Sequence, residues 1–219
     1  LSMNVQNKKT QIYSANIHLG EGKAQFLSQP QILVNGTLPA VSFPQWQQMW
    51  AHKKKDVHQQ AFLDFLKQKK FKANLTIKQF SGFGFVLKDA QFVAKRLSTA
   101  WSLGLASHFL DGEMTVPDAY PTSPLLVNLK RLVVPSEMKL SSANHFDPAT
   151  IPPLDLSIDQ LYFSHQHFSN LKAVLRPEKK GVNIKQLTVR SPQLTADLSG
   201  SWLLSGNHYQ SKVTGSLSS

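Results

Sequence analysis

The chain has 219 residues, enough for one or two domains with a hydrophobic core, and its 41% apolar content excludes disorder by composition. The net charge of +11 favours contact with an anionic surface, either nucleic acid or phospholipid head groups. Cysteine is absent, which excludes disulfides, thiolate nucleophiles and cysteine-based zinc sites.

Residues 1–55 predict a β-meander that ends in a short helix. Turn signals at Gly20-Glu21-Gly22 and Asn35-Gly36 separate strand-like stretches, and strands joined by short links pair antiparallel. After Ser42, a candidate N-cap, the apolar residues follow helical spacing: Phe43, Trp46, Met49 and Trp50.

Residues 56–134 predict a second amphipathic helix, Asp56 to Lys70, followed by a β repeat. The helix has one apolar stripe, formed by Val57, Ala61, Phe62, Phe65 and Leu66. From Phe71 to Lys78 apolar and polar residues alternate, which is typical of a strand with one dry face and one wet face. Further period-two runs and the turn signal Asp111-Gly112 follow.

Residues 135–153 predict a linker, because they are rich in serine, asparagine and proline and end in Pro152-Pro153. Residues 154–219 again show period two and predict a second β repeat, with turn signals at Lys180-Gly181 and Gly206-Asn207. The two repeats could also form one continuous sheet. The chain stops in mid-pattern at Ser219, so we expect it to be a piece of a longer protein.

An internal repeat supports a modular arrangement. Residues 75–80 resemble residues 156–161 at a shift of 81, and the same shift places Asp89 on Asn170. A second echo, a glycine followed two places later by an apolar residue, occurs at Gly36/Leu38, Gly112/Met114, Gly200/Trp202 and Gly215/Leu217. Such echoes also arise by chance in β-rich chains, so the alternative to stacked β-modules stays open.

No pattern predicts catalysis, a metal or a cofactor. His165 and His167 share one strand face, but no third ligand has suitable spacing. Asp155 and Asp159 are expected on the wet face of their strand. The glycines of Ser81-Gly82-Phe83-Gly84 lack the lysine and the helix of a phosphate-binding loop and fit a bulge or a turn better. We therefore expect a protein that is not an enzyme.

Nucleic-acid binding is an alternative explanation of the net charge of +11. Aromatic residues near Phe62 to Phe83 lie among lysines, as in a platform that stacks bases. The basic residues are scattered, however, and the known recognition motifs are missing. The same residues are explained if the aromatic side chains belong to the core of a helix and a strand and the lysines lie in solvent around them. Nucleic acid is therefore not expected as a partner.

Several motifs occur in the order found in one family. Residues 19–24 (LGEGKA) and 32–38 (ILVNGTL) precede Trp46, residues 111–117 (DGEMTVP) and 124–132 (PLLVNLKRL) follow, and residues 152–159 (PPLDLSID) and 200–202 (GSW) complete the series. Together they resemble YhdP-like proteins of the AsmA-like/TamB group over almost the whole chain. The helical insertion between Trp46 and Phe71 matches least well.

The resemblance implies a segment of a protein anchored in the inner membrane by a part outside this chain. Such proteins project through the periplasm as a long β-groove that carries phospholipid between the inner and outer membranes, and adjacent repeats of the same chain continue the groove. Phospholipid acyl chains are then the expected partner, and no cofactor is implied. The alternative is a structural or interaction β-sandwich module of the cell envelope.

The predicted fold is mainly β: a long, curved, antiparallel sheet, groove-like or taco-like, with one or two short amphipathic helices. Its apolar face would line the groove, since acyl chains require a surface without unpaired polar groups. The candidate groove residues are Leu75, Ile77, Phe83, Phe85, Leu87, Trp101, Leu103, Leu105, Leu125, Val127, Leu129, Leu154, Leu156 and Ile158. The same residues would also suit an ordinary sandwich core.

Overall fold

The computed structural model describes residues 1–8, 11–42, 45, 70–82, 85–134, 147–164, 166–205 and 208–218. These residues are almost entirely β-strand, with a 3-10 helix at Pro148–Thr150, so the prediction of a mainly β chain is confirmed. No helix in these ranges is long and apolar enough to cross a membrane. The chain divides into two compact units, Leu1–His108 and Phe109–Ser219.

The described residues of unit 1 (Leu1–His108) form seven strands. They are β1 (Ser2–Lys8), β2 (Gln11–Leu19), β3 (Ile32–Leu38), β4 (Val41–Ser42), β5 (Phe71–Gly82), β6 (Phe85–Arg96) and β7 (Ala100–Ala106). Their order across the sheet is β1-β2-β3-β5-β6-β7, and the short strand β4 pairs with the far end of β5.

In unit 2 (Phe109–Ser219), the part of the chain that the structure describes also forms seven strands. They are β8 (Leu110–Pro117), β9 (Leu125–Val134), β10 (Leu154–Phe163), β11 (Gln166–Glu178), β12 (Gly181–Ser191), β13 (Leu194–Ser205) and β14 (His208–Ser218). Each strand pairs with the next one along the chain, so the sheet order follows the sequence from β8 to β14.

The sheets are mixed rather than purely antiparallel, which corrects the predicted strand direction. β3 runs parallel to both β2 and β5, β4 runs parallel to β5, and β9 runs parallel to β10. Parallel neighbours need a crossover of about a dozen residues or more, and these strands are joined by the longest connections in the chain. The predicted helices and the predicted linker fall in those connections. The helices themselves lie outside the described residues, except for Gln45.

Two predicted turns are wrong. Asn35-Gly36 lies inside β3 and Asp111-Gly112 lies inside β8, although Lys180-Gly181 does stand at the turn between β11 and β12. Gly36 has a φ of +119°, and any Cβ there would collide with the carbonyl oxygen of Leu19 on the neighbouring strand. Glycine is therefore required by close approach of two backbones and not by chain reversal. Gly206-Asn207 lies outside the described residues.

The repeat at 81 residues is a repeat of structure. Adding 81 to each residue of a pair in the first hairpin gives a pair in the second: Ala73–Ala94 becomes Leu154–Leu175, and Ile77–Ala90 becomes Ile158–Leu171. The following strand obeys the same rule, since Ala94–Leu103 becomes Leu175–Ile184. The two hairpins β5–β6 and β10–β11 thus share one register. The third strands β7 and β12 share it only beside residues 94–96 and 175–177, because a bulge between Val174 and Leu175 shifts the pairing of residues 172–174 by one residue.

The same irregularity interrupts both hairpins. Asp89 and Asn170, which are 81 residues apart, have φ values of +48° and +54°, in the left-handed region that aspartate and asparagine tolerate best. Around Asp89, the neighbouring pair Gln79 and Lys88 is exposed, and burial resumes at Leu87. The strict alternation of faces breaks at Asp89, where two consecutive residues are exposed, and the apolar residues beyond the break again lie on the buried side of the hairpin.

Candidate functional site

The strand register places a row of apolar residues across unit 1. Paired residues project from the same face of a sheet, and pairing links Ile17, Val34, Ala73, Ala94 and Leu103 across β2, β3, β5, β6 and β7. A parallel row two residues further along contains Leu19, Gly36, Leu75, Phe92 and Leu105. We call the face that carries both rows the unit 1 apolar face.

An equivalent surface crosses unit 2. Its central row runs over six strands through Met114, Val127, Leu156, Ala173, Leu187 and Leu198. A second row contains Leu125, Leu154, Leu175, Ile184, Gly200 and Val213. These rows define the unit 2 apolar face. The next row beyond the central one, on the opposite face, is polar: Ser157, Lys172, Thr188, Asp197 and Ser216.

The apolar faces are not packed like the inside of a sandwich. Buried apolar residues among those described are mostly alanines, whereas most large side chains of the two faces are half-buried and Val213 is exposed. In a sandwich, side chains from a second sheet would cover them. Within the described residues of each unit, the strands form a single pairing order and no second sheet covers either face.

The structure brings the described candidate residues onto these faces. Ile77, Leu87 and Ile158 are buried, and the half-buried candidates are Leu75, Trp101, Leu103, Leu105, Leu125, Val127, Leu129, Leu154 and Leu156. Trp101 lies at the end of its strand, where its ring meets Phe71 edge-on at 5.3 Å and the Arg96 guanidinium at 5.6 Å. Phe83 and the side chain of Phe85 lie outside the described residues.

Sequence reasoning missed part of both faces. Ile17, Val34 and Phe92 in unit 1, and Leu187 and Leu198 in unit 2, belong to the rows but were not among the candidates. The recurring pattern of a glycine followed two places later by an apolar residue could have located these rows. Each echoed glycine lies opposite an apolar residue of the face, in the pairs Gly36–Leu75, Gly112–Leu129, Gly200–Ile184 and Gly215–Leu198.

In unit 1 the connection between β2 and β3 packs on the polar face. Asn16 and His18 alternate with the apolar residues of β2, and the Asn16 amide donates to the Gln25 carbonyl oxygen at 2.9 Å. The two ring nitrogens of His18 lie 2.5 Å from Asn35 Oδ1 and from the Glu21 carbonyl oxygen. This crossover therefore does not cover the unit 1 apolar face.

In unit 2 the end of the β9–β10 connection crosses the apolar face. We call residues 147–153 the strap. Its 3-10 helix lies against β11, β12 and β13, and its Pro148 is fully buried. Val182 at the start of β12 is also fully buried. The strap ends beside β9, where Leu125 N–H donates to the Pro153 carbonyl oxygen at 2.9 Å. The predicted linker is thus partly a cover over one end of the face.

Asp147 fastens the strap at its other end. Its carboxylate accepts a hydrogen bond from Ala149 N–H at 2.8 Å and another from the Tyr209 hydroxyl on β14. Tyr209 shares the apolar face with Trp202, whose ring lies 6.1 Å away. Burial raises the pKa of the Tyr209 phenol above its ordinary 10.0, and the charge of Asp147 and its hydrogen bond raise the pKa further.

Replacing Asp147 with asparagine is expected to lower the pKa of Tyr209 toward 10.0, since the negative charge is lost while the helix cap is kept. A raised pKa in the folded state stabilises the strap below the unfolded value, and this stabilisation disappears as the pH rises through the folded value. Ultraviolet titration of tyrosinate in the wild type and in Asp147→Asn measures the difference. Identical curves would show that Asp147 does not act on Tyr209.

Two other candidates, Asp155 and His167, contact neighbouring side chains. Asp155 forms an ion pair with Arg176 at 2.6 Å, and both side chains are about one-third exposed. The His167 ring stacks on Tyr162 at 4.7 Å, and its predicted companion His165 lies outside the described residues. In the described parts of the chain no three histidine or acidic side chains gather at a metal-binding distance.

Comparison with known proteins identifies the family. No curated protein and no solved structure gave a significant match. The family model described as YhdP protein matches residues 1–219, the whole length of the chain. The order of motifs along the sequence and the mainly β architecture agree with this match. The chain belongs to the YhdP family.

Proposed function

We propose that the two apolar faces hold the acyl chains of phospholipids, and that the chain is a non-enzymatic segment of a cell-envelope protein that conducts lipid. The observation that carries the proposal is the row on the unit 2 apolar face. Six strands contribute one apolar residue each, and the large side chains among them stay half-buried. Large exposed apolar surfaces on soluble proteins mark places where an apolar partner binds.

The size of the hydrophobic effect supports a lipid partner. Burying one methylene group contributes about 0.8 kcal/mol, so ten methylenes of an acyl chain contribute on the order of 8 kcal/mol before the entropy of ordering is subtracted. The contribution is spread evenly along the face. A bound chain can therefore shift by one row at little cost, which suits transport better than a single deep pocket does.

Family membership supports the compartment part of the proposal. The chain belongs to the YhdP family over its whole length, which favours a cell-envelope protein. We place the segment in the periplasm, attached to the inner membrane by a part of the protein outside this chain, between the inner and outer membranes. Neighbouring repeats of the same protein would extend the faces described here.

Native mass spectrometry of the delipidated protein is the test. After incubation with phospholipid vesicles and separation from them, the protein is expected to carry one or more phospholipid adducts that survive high salt, since the attraction is apolar. Adducts lost at high salt would indicate head-group attraction to the net charge of +11 instead. Absence of adducts at both salt concentrations would favour an interaction module that binds no lipid.

A further inference from the structure

A depression lies between the turns of the β10–β11 and β12–β13 hairpins. Its volume is about 420 Å³, and it is lined by Gln166, His167, Phe168, Ser191, Pro192, Gln193 and Leu194. The pairing between β11 and β12 ends at Ser169 and Arg190, although β11 begins three residues before Ser169 and β12 continues to Ser191. The two hairpin tips separate beyond that point, which creates the space.

The depression is continuous with the unit 2 apolar face. Phe168 pairs with Leu161, and Leu194 pairs with Ser191 two residues before the buried Ala196, so both apolar lining residues continue rows of that face. Apart from Pro192, the remaining lining side chains carry hydrogen-bonding groups: the amides of Gln166 and Gln193, the His167 imidazole and the Ser191 hydroxyl, whose oxygen accepts from Gln193 N–H at 3.3 Å. None of the lining residues is acidic, and the exposed Arg190 comes directly before Ser191.

The polar lining is not required by the fold of the hairpin. The first hairpin has the same register, and the residues that stand in the places of Gln166 and His167 are Phe85 and Val86. At the positions of Tyr162 and Phe163, the first hairpin has Ser81 and Gly82. The second repeat therefore has hydrogen-bonding groups at this tip that the first repeat lacks, although the two hairpins share one register.

The strap fixes which end of the face stays open. Its contacts with Leu125 and Tyr209 place it at the strand ends where β12 begins, whereas the depression lies where β12 ends. From Val182 to Ser191 a strand extends about 30 Å at roughly 3.3 Å per residue. Acyl chains in one leaflet occupy about half of a 30 Å hydrocarbon core, so a chain fits along the face between the tips and the strap.

From these observations we infer that the depression is a head-group site, which binds the phosphate-bearing end of an amphiphile while its acyl chain lies on the unit 2 apolar face. This inference rests on the proposed function. The His167 imidazole, the two glutamine amides and the Ser191 hydroxyl supply donors for phosphate oxygens, and a phosphate accepts charge-assisted hydrogen bonds that are stronger than neutral ones. The site would therefore prefer phospholipids to neutral amphiphiles of equal chain length.

The experiment compares two probes with the same chain, oleoyl lysophosphatidylglycerol and monooleoylglycerol. The double variant His167→Ala/Gln193→Ala is expected to bind the phosphate-bearing probe at least about tenfold more weakly and the neutral probe within about twofold of the wild type. The control His208→Ala/Gln210→Ala removes the same two residue types from exposed positions on β14 and should leave both affinities unchanged. Calorimetric titration of the full chain gives the dissociation constants.

The outcomes separate the two proposals. Equal weakening for both probes, or none for either, would overturn the head-group site while leaving acyl-chain binding intact. Failure of the wild type to bind either probe would instead overturn the proposed function. A wild-type titration with sodium phosphate alone is expected to show no saturable binding, because affinity requires the chain. Saturable phosphate binding that the double variant abolishes would reassign the depression to free phosphate.

Discussion

Replacing Leu156 with aspartate is expected to weaken phospholipid binding to unit 2 by at least about a hundredfold, because an unpaired carboxylate beneath an acyl chain costs several kcal/mol. Leu156 lies in the centre of the row, between Val127 and Ala173, so a bound chain cannot avoid it. The residue is half-buried in the lipid-free chain, so its replacement remains solvated there. Titration with lysophospholipid measures the loss.

Ser157→Asp is the matched control. It introduces the same charge one residue later on the opposite face, where Ser157 pairs with Lys172. Lipid affinity is expected to stay within about twofold of the wild type, because the new carboxylate faces water and a lysine. If both variants lose affinity to the same extent, the effect comes from net charge or from unfolding. Circular dichroism checks that each variant retains its strands.

Gly36→Ala is expected to lower the free energy of unfolding of unit 1 by about 3 kcal/mol or more, because its φ of +119° is strained for any L side chain and the new Cβ meets the Leu19 carbonyl oxygen. Gly36 is paired with Leu19 on one side and Leu75 on the other. The collision therefore falls on the parallel pairing between β2 and β3. Urea denaturation followed by circular dichroism measures the change.

Thr37→Ala serves as the reference for that substitution. Thr37 is the next residue of β3, points to the opposite face and pairs with Thr76. Its replacement is expected to change the free energy of unfolding by less than about 1 kcal/mol. Equal stability of Gly36→Ala and Thr37→Ala would show that the backbones of β2 and β3 do not approach as closely as described.

The strands and the repeat were predictable because both depend on local pattern. Alternation from Phe71 to Lys78 marks β5, and the shift of 81 residues already placed Asp89 on Asn170. The sequence could not show why those two residues matter. Only the register reveals that a left-handed residue in each hairpin keeps the apolar side chains on one side across a break in the alternation.

Strand direction and the glycine roles were not predictable for a physical reason. Whether β9 pairs parallel or antiparallel with β10 depends on the path of the connection between them, and local periodicity is the same in both cases. Asn-Gly is a strong hairpin signal, yet in β3 it marks a close approach between strands. The sequence predicts a linker where the strap lies, because prolines indicate irregular backbone and carry no information about which face that backbone covers.

The central claim is that the apolar faces contact lipid, and site-specific photo-crosslinking tests it most directly. A benzophenone amino acid is placed at position 156 on the unit 2 apolar face or at position 157 on the polar face, and the protein is irradiated with phospholipid vesicles. Mass spectrometry is expected to find phospholipid attached at position 156 and not at position 157. Attachment at both positions equally, or at neither, would contradict the account.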